Sequence, residues 1–112
     1  LISKRALNKL KNKIIVIMYK QYNAINQCTL NNNDLLLSLL TYKGKLRSSI
    51  NKHDVYVALR SLVADGFVIV DFGENEQYEN ITITQTGIEH YQKSSKFFRT
   101  HIFDIINLFI AL

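Results

Sequence analysis

The residues able to do chemistry in this chain are concentrated between positions 43 and 60. Lys43, Lys45, Arg47, Lys52 and Arg60 supply positive charge, and Ser49, Asn51, His53 and Tyr56 supply hydrogen-bonding groups among them. Basic side chains gain free energy on a polyanion by releasing its condensed counterions. Arginine adds a planar fork of donors that fits a phosphate or a guanine edge. Polar side chains and free N–H groups at a helix start can hold a phosphate. The set suits recognition of a polyanion rather than bond cleavage. The net charge of +5 reinforces this, because it is unevenly placed. Residues 1–52 carry ten Lys/Arg against the single acid Asp34, and residues 53–112 carry four against eight acids.

Catalytic patterns are missing from the sequence. It holds no glycine-rich phosphate loop, no nucleophile elbow and no metalloprotease motif. The carboxylates Glu74, Glu76 and Glu79 read as the solvated tip of a hairpin. The expectation is a non-enzyme that needs no cofactor.

The elements that must position these groups fit in one domain, since 112 residues with 47% hydrophobic content can bury one core. Leu7, Leu10, Ile14, Met18 and Tyr22 recur at steps of three and four, which predicts a helix over 3–22. A short strand over 27–30 follows. Asn31 to Asn33 can cap a helix over 34–42 whose inner residues are Leu35, Leu36, Leu39 and Leu40. Lys43, Gly44 and Lys45 form a basic turn. Asn51 can cap a helix over 52–65, with Val55, Leu59 and Leu62 inward and Gly66 stopping it. Lys52, His53, Tyr56, Val57 and Arg60 are then its outward set. Strands over 67–72 and 78–84 pair as a hairpin around the polar turn 73–77. Thr86 is expected to cap a last helix that runs to residue 112.

Two short helices followed by a β-ribbon is the plan of a winged helix-turn-helix. The run Asp54-Val55-Tyr56-Val57-Ala58-Leu59-Arg60-Ser61-Leu62, followed by Gly66-Phe67-Val68, resembles the recognition helix and first wing strand of MarR, PadR and ArsR-like regulators. Ile83-Thr84-Gln85-Thr86-Gly87, continued to Tyr91, resembles that family's exit from the wing. The resemblance covers roughly 34–91. It implies a mainly α fold with a small β-hairpin wing (α+β), and a dimer that places the 52–65 helix in the major groove of double-stranded DNA. The DNA-binding set is then Lys43, Lys45, Arg47, Ser49, Asn51, Lys52, His53, Tyr56, Val57 and Arg60. One departure stands out. Family wings carry basic tips, whereas this one carries Glu74, Glu76 and Glu79 with Asp71 beside them.

Residues 1–87 are read as the DNA-binding part and 88–112 as a dimerisation helix of the same unit. Ile88, Tyr91, Phe98, Ile102, Ile105 and Phe109 recur as a heptad-like seam, broken at Ser95, and are the expected homodimer interface. His90, His101 and Asp104 have a spacing similar to the interfacial metal site of ArsR-type sensors. One straight helix holds the two histidines ~16 Å apart, so only a second chain could complete such a site. Solvated histidines are the preferred reading, with no metal. Cys28, the single cysteine, cannot form an intrachain disulfide and reads as a small core residue in a reducing, cytoplasmic setting. The first ten residues are too charged for a secretory leader. The apolar 102–112 stretch is too short to span a bilayer, which takes ~20 residues. A membrane segment enters only if the natural chain continues beyond Leu112, as in some archaeal regulators that join such a domain to membrane helices. A protein-interaction module using the acidic wing is the alternative function.

Overall fold

The computed structural model describes residues 2–25, 29–44 and 50–94. The elements run α1 (Lys4–Ile25), β1 (Thr29–Leu30), α2 (Asn32–Leu40), a 3₁₀ turn (Tyr42–Gly44), α3 (Lys52–Ala64), β2 (Val68–Phe72), β3 (Tyr78–Ile83) and α4 (Gln85–Lys93). Helices dominate, and the strands form one antiparallel sheet in the order β1-β3-β2. This α+β arrangement is consistent with the winged helix expected from the sequence.

One core holds the elements together. It joins Ile14 and Met18 of α1, Leu35 and Leu39 of α2, Val55, Leu59 and Leu62 of α3, and Ile81 and Ile83 of β3. Each of these follows from a 3.6-residue or two-residue apolar spacing. α1 is longer than the apolar stripe suggested and reaches Ile25. α2 begins earlier than expected, at Asn32, because the Asn31 side chain accepts a hydrogen bond from the Asp34 N–H at 2.8 Å. It also ends earlier, at Leu40, and Tyr42 is buried in the 3₁₀ turn.

The hairpin departs from simple alternation. Tyr78, Ile81 and Ile83 point inward, while Glu79 and Asn80 are both exposed. Pairing shifts by one residue between Ile69 and Asp71 of β2. Asn80 is the extra residue, with φ 53, and its side chain donates to Asp71 at 2.8 Å. Asparagine tolerates the left-handed region better than most residues, so it can carry a bulge there.

The ends of the hairpin are locked to α3. Gly66, with φ 81, follows the end of α3, and the Phe67 N–H returns to the Leu62 carbonyl while the Gly66 N–H reaches Val63. Those are the two bonds of a Schellman motif. The Thr84 N–H donates to the Phe67 carbonyl, and the Thr84 hydroxyl donates to the Gly66 carbonyl at 2.7 Å. Thr84, rather than Thr86, caps α4, because its hydroxyl oxygen accepts from the Gly87 N–H. A Cβ on Gly87 would lie 2.2 Å from the Phe67 carbonyl oxygen. The threonine and glycine of the wing-exit motif are thus a packing requirement.

The last helix also differs from expectation. α4 stops at Lys93, and Ser94 turns to extended backbone with ψ 153. A single uninterrupted helix from the wing to residue 112 is therefore excluded at Ser94. Residues 95–112 lie outside the described residues.

Two outcomes follow. Gly87→Ala should destabilise by about 1–3 kcal/mol or more, since backbone must move to admit the methyl. Gly66→Ala meets no atom within 4 Å and carries only the left-handed backbone cost of about 1–2 kcal/mol. Melting by circular dichroism should rank Gly87→Ala below Gly66→Ala, and the reverse order would refute the close approach. Separately, burial and then the Glu79 carboxylate raise the Tyr78 phenol above its ordinary 10.0. The folded chain holds that proton longer than the unfolded one, so this stability is present below pH 10 and falls as pH climbs through the raised value. Urea midpoints across that range should fall less steeply in Tyr78→Phe.

Candidate nucleic-acid interface

The site starts from the inner face of α3. Val55, Ala58, Leu59 and Leu62 are at most 1% exposed. A helix that buries those positions must turn the opposite ones outward. Lys52, His53 and Arg60 are exposed, and Tyr56 and Val57 are half-buried. His53, Tyr56, Val57 and Arg60 lie away from the buried stripe, while Lys52, in line with Leu59, is exposed in the first turn of the helix. Asn51 begins the helix, its side-chain oxygen accepting from the N–H groups of His53 at 3.0 Å and Asp54 at 3.2 Å. Lys43 is exposed in the 3₁₀ turn with φ 58. Lys45, Arg47 and Ser49 lie outside the described residues.

Arg60 is held rather than loose. Its Nε donates to the Tyr56 hydroxyl oxygen at 2.9 Å. Its guanidinium carbon lies 3.9 Å from the Phe72 ring centroid and 5.2 Å from that of Tyr56. The two rings meet edge to face, with centroids 5.6 Å apart. The Tyr56–Arg60 step of four is legible in the sequence as one helix face. Phe72 is not, because it reaches Arg60 only through the return of the wing.

The acidic wing tip also meets α3. The His53 Nδ1 and a Glu76 oxygen are 2.6 Å apart. A carboxylate only accepts, so Nδ1 is the donor. Asn75 and Glu76 both have positive φ, and the Gln77 N–H closes the turn on the Glu74 carbonyl. Such turns favour Asn-Gly, and a glutamate in the second position is strained by about 1–2 kcal/mol. Glu76 therefore turns back onto the start of α3 instead of projecting from the tip.

Further positive charge gathers behind the helix pair. The Lys13 and Lys43 ammonium groups lie 5.6 and 5.7 Å from the ring centroid of Tyr42. Lys9, Asn12, Lys13, Tyr42 and Lys43 border a cleft of about 220 Å³. The sequence showed the lysines but not their convergence, which needs α1 packed beside the 3₁₀ turn. Lys11 is neutralised by Asp65 at 2.7 Å.

Of the expected dimer residues, Ile88 and Tyr91 are 7% and 8% exposed within the single chain. Tyr91 stacks on Tyr19 of α1 with centroids 4.2 Å apart. Their apolar surface is buried within the single chain, with Tyr19 of α1 covering part of Tyr91. Phe98, Ile102, Ile105 and Phe109 lie outside the described residues. His90 stacks on Phe67 at 4.2 Å. Its suggested metal partners His101 and Asp104 lie outside the described residues, as does Cys28. Among the described residues there is no cluster of three metal-ligating side chains, and no helix long and apolar enough to cross a membrane.

No family model matches the chain, and no curated protein matches it. Its fold is similar to the solved structure of a transcriptional regulator from Clostridium thermocellum. The TM-score is 0.58 at 18% sequence identity, over 98% of this chain and 99% of the other. At that identity the likeness is one of fold.

The wing contact makes its own prediction. Glu76→Gly removes a negative charge beside α3 and relieves a left-handed glutamate, against the loss of one exposed hydrogen bond worth about 0.5–1.5 kcal/mol. If the outer edge of α3 meets a duplex, DNA affinity at low salt should rise several-fold in fluorescence anisotropy, with no loss of thermal stability. A fall in affinity would mean that the carboxylate organises the interface instead of opposing it.

Proposed function

We propose that the chain is a dimeric, sequence-specific double-stranded DNA-binding transcription regulator that works in the cytoplasm and catalyses no reaction. α3 is its reading element. The observation that carries this reading is the outer edge of α3, where Lys52 and Arg60 are both exposed on a helix anchored by its buried face. A helix so mounted can enter a major groove, which admits one α-helix. The basic first half of the chain supplies phosphate contacts, with Lys43, Lys45 and Arg47 next to α3 in sequence. The fold-level likeness to a transcriptional regulator is in keeping with this. The resemblance to MarR, PadR and ArsR-like sequences supplies the finer family reading.

The dimer rests on the apolar spacing of Phe98, Ile102, Ile105 and Phe109, with Ile88 and Tyr91 now assigned to the core of the single chain. Twofold pairing would present two α3 helices to successive grooves ~34 Å apart, so a palindromic site is expected.

A second reading, a protein-interaction module, is favoured by one feature: Asp71, Glu74, Glu76 and Glu79 are all exposed on the wing. That surface suits a basic protein partner better than a phosphate backbone.

Anisotropy against random duplex pools over a salt series separates the two. A DNA-binding chain loses affinity steeply with salt. Replacing Lys52 and Arg60 together by alanine should weaken binding more than tenfold. Removing a cation that neutralises one phosphate should also flatten the log–log salt slope by about 1. Unchanged affinity in that variant rules out α3 as the reading element, and no duplex binding at low salt favours the protein partner. Light scattering on the same samples reads the dimer.

A further inference from the structure

Building on the DNA-binding reading, we propose that Tyr56 and Phe72 are positioning residues that seat Arg60 on one guanine, so that the wing strand helps choose a G·C pair in each half-site. An exposed arginine ordinarily samples many rotamers, and fixing them on binding costs free energy. Here much of that ordering is already done. The Phe72 ring covers one face of the guanidinium at 3.9 Å, and the Tyr56 oxygen takes up Nε at 2.9 Å. The two terminal Nη groups remain as the donors for an incoming acceptor, on a residue that is exposed on the outer edge of α3.

Two parallel N–H donors select among base edges. Guanine presents two adjacent acceptors, O6 and N7, in the major groove. Adenine presents one acceptor beside a donor, thymine one acceptor beside a methyl group, and cytosine a donor. A phosphate also accepts such a fork, but it rewards charge more than rigidity. Lys52 at the start of α3 supplies charge without any seat. On α3 the aromatic seat belongs to Arg60, which is the residue for which fixed geometry carries information. Phe72 ends β2 immediately before the wing turn, so the strand that carries the acidic tip also carries the platform. The wing then contributes to specificity without touching DNA.

The test uses the intact chain and selection from a random duplex pool, sequenced before and after binding. Wild-type protein is first measured on unselected duplex at low salt; absence of binding there defeats the DNA-binding reading itself. With binding present, wild type should prefer guanine at one position of each half-site by roughly ten- to hundredfold. Arg60→Ala and Arg60→Lys should abolish that preference. Phe72→Leu should weaken it while general affinity and salt slope stay near wild type, and Tyr56→Phe should weaken it as well. Phe72→Trp, which keeps an aromatic face, should preserve it. Circular dichroism melts confirm folding, and if Phe72→Leu does not fold, Tyr56→Phe and Phe72→Trp still decide. Three results overturn the proposal while leaving DNA binding intact. One is the absence of any guanine-dependent position in wild type. Another is an Arg60→Ala effect equal on all sequences, the mark of a phosphate contact. The third is full preference in folded variants that lack the Tyr56 hydroxyl or the Phe72 ring.

Discussion

Burial of one side of α3 governs the rest of the molecule. With 3.6 residues per turn, a helix cannot hide positions 55, 58, 59 and 62 without turning 53, 57 and 60 the other way. The buried side chains of Val55, Leu59 and Leu62 each contribute about 1.5–3 kcal/mol through removal from water. Rotating α3 to retract its outer edge would forfeit that energy. Arg60 is therefore held outside by the burial of the opposite face, while Lys52, in line with Leu59, is exposed in the first turn of the helix. α1 lies under this arrangement, with Ile14 and Met18 at 0% and 1% exposure in the same core.

The wing is fastened at its root rather than along its length. Gly66 reverses the chain after α3, and Thr84 ties the returning strand to the Gly66 and Phe67 carbonyls. Gly87 then lets α4 start against the Phe67 carbonyl. A root fixed in this way carries the consequences outward to β2 and β3. It sets Phe72 under Arg60 and brings Glu76 to His53. The bulge at Asn80 keeps both Tyr78 and Ile81 inside despite their spacing of three, so the strand covers the core up to the wing turn. Among the described residues, no buried side-chain polar atom lacks a partner.

Charge placement turns part of the acidic wing back onto the chain itself. Two of its carboxylates are engaged within the chain, Asp71 by Asn80 and Glu76 by His53. An acid held against the basic edge of α3 lowers the local positive potential that a duplex would meet, which trades affinity for selectivity. On the proposed function, specificity would then rest more on shaped contacts such as the Arg60 seat than on bulk attraction.

The approximate places of α1 and α3, the inward stripe of α3, the Asn51 cap, the Gly66 stop and the exposure of Lys52, His53 and Arg60 are legible in the sequence, because each depends on residues within about four positions of one another. So is the polarity of the hairpin, though not its bulge: Glu79 and Asn80 are two polar residues in a row, and only pairing with β2 shows which one is extra. The cap of α4 falls to Thr84 instead of Thr86: its bond to the Gly87 N–H is local, but Thr84 is held in place by bonds to Gly66 and Phe67, some 17 or 18 residues earlier. By spacing alone, Ile88 and Tyr91 belong to a two-chain seam; in the folded chain both are buried, and Tyr91 stacks on Tyr19 of α1, which joins the two ends of the described chain. Local periodicity fixes which way a side chain faces, but what it faces depends on elements distant in sequence. For that reason the seat of Arg60, the Glu76 contact and the lysine-lined cleft become visible only in the folded chain.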